Sequence, residues 1–364
     1  MSTHTDCLDC LTIDGGYGEG GGQIVRGALT LACLTGRAVH IGRIRAQRRK
    51  PGLAAQHLTS VRAAAELCAA EVTGAELGSQ ALTFRPQRMM QPGSYRFDVA
   101  AARLGGSAGA TMLVLQTVLL PLACAEGEST VVLEGGTHVP MSPPFDYVRD
   151  VWLPTLARLG IAAHVWLERP GWYPAGGGKV CAAIRGSGKR ARFSPLWLTE
   201  RGNLKIVRGC GLASALPSHV AERMAGRARE ILQAHGILHD IRAVTRDSDC
   251  PGAGLFLVAE YQHAIAGFSA LGERGKPAES VAEEACAALF FFHESEGAVE
   301  AHLADQLIIP TAVCEGESAF TVQRVTLHLE TVAWLVERFG VARVRIERDG
   351  QRAACVRVKG NLQE

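Results

Sequence analysis

The chain has 364 residues, 47% hydrophobic and 20% charged, with a formal net charge of +2. This composition excludes a disordered or fibrous protein and is ample for more than one core. No apolar run reaches the roughly 20 residues a membrane-spanning helix needs, and the opening residues lack the basic-then-apolar pattern of a secretory leader. A cytoplasmic protein with no membrane partner is expected. The 11 cysteines stand mostly alone in apolar stretches, where a reduced thiol behaves as a small hydrophobe. Cys7 and Cys10 have the spacing of a zinc or redox half-site, but no second pair answers it, so two ordinary thiols near the terminus are the simpler reading.

The first element in chain order is a strand that begins at Leu11 and runs into the turn Asp14-Gly15-Gly16-Tyr17-Gly18-Glu19-Gly20-Gly21-Gly22-Gln23. Gly16, Gly18 and Gly21 satisfy the GxGxxG pattern. A dinucleotide fold would also need an acid about 20 residues further on. None is present, because residues 20–65 hold no Asp or Glu while Arg26, Arg37, Arg43, Arg45, Arg48, Arg49, Lys50 and Arg62 supply eight cations. A one-sign window of this length points to phosphate binding. The glycines would let backbone approach an anion at a helix start, and Glu19 fits there if a divalent cation joins it to the phosphates.

Three stretches then repeat one pattern. Helices are expected at 22–35, 110–125 and 302–314, each followed by a small or acidic turn and a short strand. Two of these joints nearly coincide: Cys124-Ala125-Glu126-Gly127-Glu128-Ser129 and Cys314-Glu315-Gly316-Glu317-Ser318. A second helix follows in each, at 53–68, 144–159 and 328–339, and then two strands joined by a turn such as Asp349-Gly350. Such a unit cannot bury its faces alone, so three copies packed around one centre are the economical arrangement. Linker-like composition at 185–190 and 272–277 brackets a segment that breaks the repeat, with its own helix at 219–235. The expected division is 1–184 for two repeats, 185–278 for an inserted small α/β domain, and 279–364 for the third repeat.

Two further motifs carry chemistry. Gly105-Gly106-Ser107-Ala108-Gly109 matches the GxSxG nucleophile elbow, but the chain lacks the alternating parallel pattern of that hydrolase fold, and a serine at a helix start more often serves as a cap. His328, in Thr326-Leu327-His328-Leu329-Glu330-Thr331, falls where a strand meets a helix, a place that presents reactive side chains and also ordinary structural histidines.

Five ordered blocks resemble the RNA 3′-terminal phosphate cyclase family: Asp14-Gly15 with 18–24 and Arg26; Ile44-Arg45-Ala46 with Arg48, 50–53 and Gln56-His57-Leu58; Gly135-Gly136-Thr137; Tyr173-Pro174-Ala175-Gly176-Gly177-Gly178; and Leu303-Ala304-Asp305-Gln306-Leu307. The resemblance implies an α+β fold of three βαβαββ repeats packed around a centre, with an inserted smaller α/β domain. It implies a ligase that uses ATP and Mg²⁺ or Mn²⁺ to turn an RNA 3′-terminal phosphate into a 2′,3′-cyclic phosphate, releasing AMP and diphosphate. His328 would carry AMP covalently before its transfer to the RNA end, and Glu19 would hold the metal. Gln116, Pro140, His302, Leu303, Ala304, Asp305 and Gln306 would line the nucleotide pocket. Arg26, Arg45, Arg48, Gln56 and His57 would bind the RNA phosphate, Arg45 and Arg48 sharing one terminal group.

Two positions depart from the family pattern: His302 where tyrosine is common, and His138-Val139-Pro140-Met141 where some members have Asp-Asn-Pro-Ser. The alternatives are a cyclase-like protein that binds RNA or helps assemble ribosomes without catalysis, and a small-substrate transferase of similar repeats, such as an enolpyruvate transferase. A homodimer is a further possibility that the sequence leaves open.

Overall fold

The computed structural model describes residues 10–102, 108–188, 193–348 and 353–361. The fold is α+β, and three four-stranded sheets share one topology. The first orders its strands Leu11–Asp14, Val39–Gly42, Leu82–Arg85, Glu71–Thr73; the second, Ser94–Asp98, Glu126–Gly135, Gly178–Ser187, Ala162–Arg169; the third, Trp197–Leu198, Glu317–Val322, Ala354–Gly360, Ala342–Glu347. In every sheet the first two strands are parallel and the remaining pairings antiparallel. A parallel pair needs a crossover, supplied by the helices Gly22–Thr35, Thr111–Ala123 and Ala301–Ala312.

These helices pack inward. Gly22–Thr35 touches Ala55–Cys68, Thr111–Ala123 and Leu327–Phe339, so all three repeats meet around it. Its residues Ile24, Val25, Ala28, Leu29, Leu31 and Ala32 are buried, as expected of a helix enclosed on most sides. Gly27 allows the closest approach: a Cβ there would stand 2.7 Å from Leu335 Cδ2 on the third-repeat helix. The helix ends at Gly36, whose φ of 68° suits a residue without a side chain. Buried side chains from Ile13 to Val358 form one continuous core.

The third repeat is split. After Trp197–Leu198 the chain leaves to form a fourth sheet, ordered His239–Thr245, Leu204–Ser214, Gly252–Tyr261, Ile265–Leu271, on which the helices His219–Ala234 and Ala278–His293 pack. It then returns to Ala301–Ala312. Strand pairing therefore sets the interruption after the third repeat's first strand, whereas composition drew boundaries at 185 and 278. Residues 185–187 complete the Gly178–Ser187 strand, and 272–277 lead into a helix of the fourth sheet. A two-residue strand offers no periodicity to read. One hydroxyl ties both ends of the interruption: Thr321 Oγ1 donates to Thr199 O at 2.8 Å and accepts from Ala298 N–H at 3.0 Å.

Candidate active site

The glycine-rich turn meets the N-terminal ends of three helices, Gly22–Thr35, Ala301–Ala312 and Leu327–Phe339. Gly18 has φ +55°, and a Cβ on it would lie 2.3 Å from Thr331 Oγ1. That close approach lets Thr331 Oγ1 accept from Glu19 N–H at 3.1 Å while it donates to Leu327 O at 2.6 Å. The turn is thereby fastened to the helix that begins with Leu327, which Thr326 caps by accepting from Leu329 N–H. Glu19 lies beside His328: its Oε1 is 3.9 Å from His328 Nε2 and pairs with Arg48. Its Oε2 is buried without a hydrogen-bond partner.

Gln23 determines which imidazole nitrogen is free. Its Nε2 donates to Asp305 Oδ2 at 2.5 Å, so its Oε1 must accept, and it faces His328 Nδ1 at 2.8 Å. His328 Nδ1 therefore carries the proton, and Nε2, on the Glu19 side, keeps its lone pair. Burial lowers the His328 pKa from its ordinary value, and His302, Arg48 and Arg26 lower it further. Both effects favour the neutral imidazole. Gln23 was assigned no role from sequence, because a glutamine at a helix start carries no chemical signature of its own.

Asp305 is pushed up to about 7 by burial and by Glu300, against the opposing pull of Gln23 and Arg26. Glu300, itself raised by burial, caps the Ala301–Ala312 helix by accepting from His302 N–H at 2.7 Å and Leu303 N–H at 2.6 Å. Tyr147 donates its hydroxyl to Glu300 from the second repeat. Gln306 Nε2 donates to His302 O at 2.7 Å and Gln306 Oε1 accepts from Gln116 Nε2 at 2.6 Å, which joins two of the expected pocket residues directly. His302 is exposed at the helix start. Leu303 and Ala304 are 0% exposed and belong to the core, so only their backbone is available to a nucleotide. Pro140 is exposed on the loop before the helical stretch 145–157 that carries Tyr147. Its neighbour His138 is buried, with Nε2 2.9 Å from Asp146 and Nδ1 2.7 Å from Thr137 Oγ1, which makes this departure from the family pattern a packed polar unit.

Of the expected phosphate-binding residues, Arg26 is half-buried and its pKa is lowered to about 10 by burial, opposed by Asp305. Arg48 stands on Glu19, but Arg45 donates to Gly52 O at 2.7 Å, so the two guanidiniums have different partners. Gln56 Oε1 accepts from Ala110 N–H at 3.3 Å. His57 Nδ1 accepts from Ala54 N–H at 3.1 Å, and burial, Arg26 and Arg45 together keep this imidazole neutral. A Cβ on Gly22 would fall 1.9 Å from His57 Nε2, which places that ring against the start of the first helix. Cys7 and residues 105–107 of the GxSxG match lie outside the described residues.

Among the described residues no group of three or more His, Cys, Asp or Glu side chains forms a metal cage. A single carboxylate with one orphaned buried oxygen suits Mg²⁺ or Mn²⁺, which commonly take one or two carboxylates and complete their shells with substrate phosphates and water. No helix among the described residues is long and apolar enough to cross a membrane.

Fold and site together define a three-repeat α+β protein whose centre sets a neutral histidine against a carboxylate and a cluster of arginines. The family model for RNA 3′-terminal phosphate cyclase matches residues 17–346. A protein named RNA 3′-terminal phosphate cyclase from Methylococcus capsulatus is 58% identical over 97% of this chain and 98% of its own length. Proteins of the same name from Gloeothece citriformis and Archaeoglobus fulgidus are 48% and 41% identical, over 92% and 90% of this chain and 95% of each relative. The chain belongs to the RNA 3′-terminal phosphate cyclase family.

Proposed function

We propose that this protein uses ATP to convert the 3′-terminal phosphate of an RNA into a 2′,3′-cyclic phosphate through an adenylate on His328 Nε2. The observation that carries the proposal is the Asp305–Gln23–His328 chain, which leaves Nε2 as the unprotonated atom next to Glu19. Nε2 attacks the α-phosphorus of ATP; the N–P bond forms as the bond to the bridging oxygen breaks, and diphosphate leaves with that electron pair. An oxygen of the RNA 3′-phosphate then attacks the same phosphorus and releases the imidazole. The neighbouring 2′-hydroxyl attacks the activated 3′-phosphorus and expels AMP, its proton passing to the departing AMP phosphate or to solvent, aided by its fixed position on the same sugar.

Glu19 would hold Mg²⁺ or Mn²⁺, whose charge would offset that developing on the phosphates. Arg48 and Arg26 place positive charge by the nucleophile and suppress its protonation. Asp305, Gln306, Gln116, His302 and Pro140, with the backbone of Leu303 and Ala304, are the nucleotide side of the proposal, and Arg45, Gln56 and His57 the RNA side. A non-catalytic RNA-binding role leaves the tautomer-setting glutamine and the orphaned carboxylate oxygen without a purpose.

The test incubates the protein with α-labelled ATP and Mg²⁺ or Mn²⁺. Acid-labile label on the wild-type chain, absent from His328→Asn, is expected. Label of equal stoichiometry on His328→Asn would refute the assignment.

A further inference from the structure

The turn that holds Glu19 also holds Tyr17, whose ring is 42% exposed although it stacks on Trp334 at 4.0 Å between centroids and 16° between planes. An isolated exposed aromatic on a protein surface needs no explanation. This one is held in place. Its N–H donates to Asp14 O at 3.2 Å and its carbonyl accepts from Gly20 N–H at 2.8 Å. Trp334, half-buried, covers one face of the ring, and among the described residues no other aromatic ring stacks on Tyr17, so its exposure falls to the other face. Trp334 belongs to the helix that presents His328, on the same side as Leu327 and Thr331 by the four- and seven-residue spacing. Leu327, 52% exposed, extends the apolar strip toward His328.

The segment beside this ring is basic. Gln47 Nε2 donates to Gly16 O at 2.8 Å, Arg43 pairs with Asp14 at 3.0 Å and Arg48 pairs with Glu19, so residues 43–48 lie along the turn on three contacts. Arg49 and Lys50, next in the chain, are exposed and have no ion pair among the described residues. An open aromatic face beside unpaired cations is the arrangement by which single-stranded nucleic acid is bound without sequence readout: bases stack while the backbone follows the positive charge.

We infer that the open face of Tyr17 is a stacking platform for a base of the substrate RNA inside its reacting 3′ end. The inference rests on the proposed cyclase activity and adds a subsite to it. Trp334 follows His328 by six residues, roughly 9 Å along the helix, and stacked nucleotides advance by about 3.4 Å. Six residues also turn the helix by about 240°, so the two side chains leave it in different directions, and the stacked base is an inner one rather than the terminal one.

The experiment has two arms. In the first, an oligoribonucleotide carrying 2-aminopurine third from its 3′ end is titrated with protein, and quenching of its fluorescence reports stacking without any need for catalysis. Wild type and Tyr17→Trp should quench; Tyr17→Ala should not, and its apparent Kd should rise at least about fivefold. In the second, cyclisation of a long 3′-phosphorylated RNA is compared with that of a nucleoside 3′,5′-bisphosphate, which lacks the inner bases. Tyr17→Ala should raise KM for the RNA at least about fivefold more than for the nucleotide, with an unchanged thermal midpoint as the check on folding. Equal quenching by wild type and Tyr17→Ala, or an unchanged ratio of the two KM values, overturns the platform. Quenching that depends on Tyr17 in a wild-type protein that cyclises nothing would sustain the platform and overturn the cyclase reading instead.

Discussion

Asp305→Asn should make the protein more stable, and by an amount that grows with pH. The carboxyl titrates at about 7 in the folded chain against an ordinary value of 3.8, because burial and Glu300 outweigh the help it receives from Gln23 and Arg26. A carboxyl raised on folding binds more protons in the folded state than in the unfolded one, so stability declines as pH rises from 3.8 and levels off above about 7. Linkage with these two values gives a penalty of about 2 kcal/mol at pH 5 and about 4 kcal/mol at pH 8. The asparagine keeps an oxygen for Gln23 Nε2 and carries no charge. Its stabilising effect should therefore widen by about 2 to 3 kcal/mol between pH 5 and pH 8. Urea unfolding of both proteins at the two pH values measures it. The variant should also bind ATP less well, since the carboxylate is proposed to serve the nucleotide and to anchor Gln23. Parallel stability profiles for the two proteins would show that Asp305 is not held in a destabilising environment, and the account of the Asp305–Gln23–His328 chain would then need revision.

Thr331→Val removes the hydroxyl that accepts from Glu19 N–H while keeping the side-chain shape, and should slow adenylation about 10-fold, whereas Thr331→Ser should retain most of the rate in the same single-turnover assay. Glu19→Ala should raise the Mg²⁺ or Mn²⁺ concentration needed for half-maximal adenylation; an unchanged metal titration would assign the carboxylate to Arg48 alone. Arg48→Ala should slow adenylation itself and move its pH profile upward, because losing a nearby cation raises the His328 pKa and the neutral imidazole is the proposed nucleophile. Arg45→Ala, whose guanidinium lies on Gly52 O, should instead lower cyclisation of 3′-phosphorylated RNA by about 10-fold with adenylation less affected; equal loss in both steps would place Arg45 on ATP.

The repeats were legible because each joins an apolar helix to a strand through a turn of small and acidic residues, and two of those turns share almost the same letters. The place where the third repeat opens was not, since Trp197–Leu198 is two residues long and its partner strand lies beyond the fourth sheet. At the site, His328 and Glu19 could be singled out by chemistry and by resemblance to known motifs. Which imidazole nitrogen is free could not, because the tautomer depends on Gln23 and Asp305, which are separated in the chain and meet only through packing of the first and third repeats. Leu303 and Ala304 show the opposite limit. A contiguous motif on a helix runs through every face of it, and these two side chains face the core. Tyr147 and Glu300 carried no motif, and their link appears only once the second repeat is folded against the third.

Thr321 holds the departing chain at Thr199 and the returning chain at Ala298 with one hydroxyl, and the fourth sheet also packs on the second repeat: a Cβ on Gly267 would stand 2.6 Å from Tyr147 Cδ2, and Phe256 meets the His138 ring. The two ends of the interruption lie side by side, so a short linker would close it at small entropic cost, but removing the insertion would strip Tyr147, Val151 and Trp172 of buried partners. The inserted sheet thereby backs the tyrosine that donates to Glu300, the cap of the Ala301–Ala312 helix, so exchanging it for a glycine bridge would loosen the start of that helix even though the gap from Thr199 to Ala298 is short.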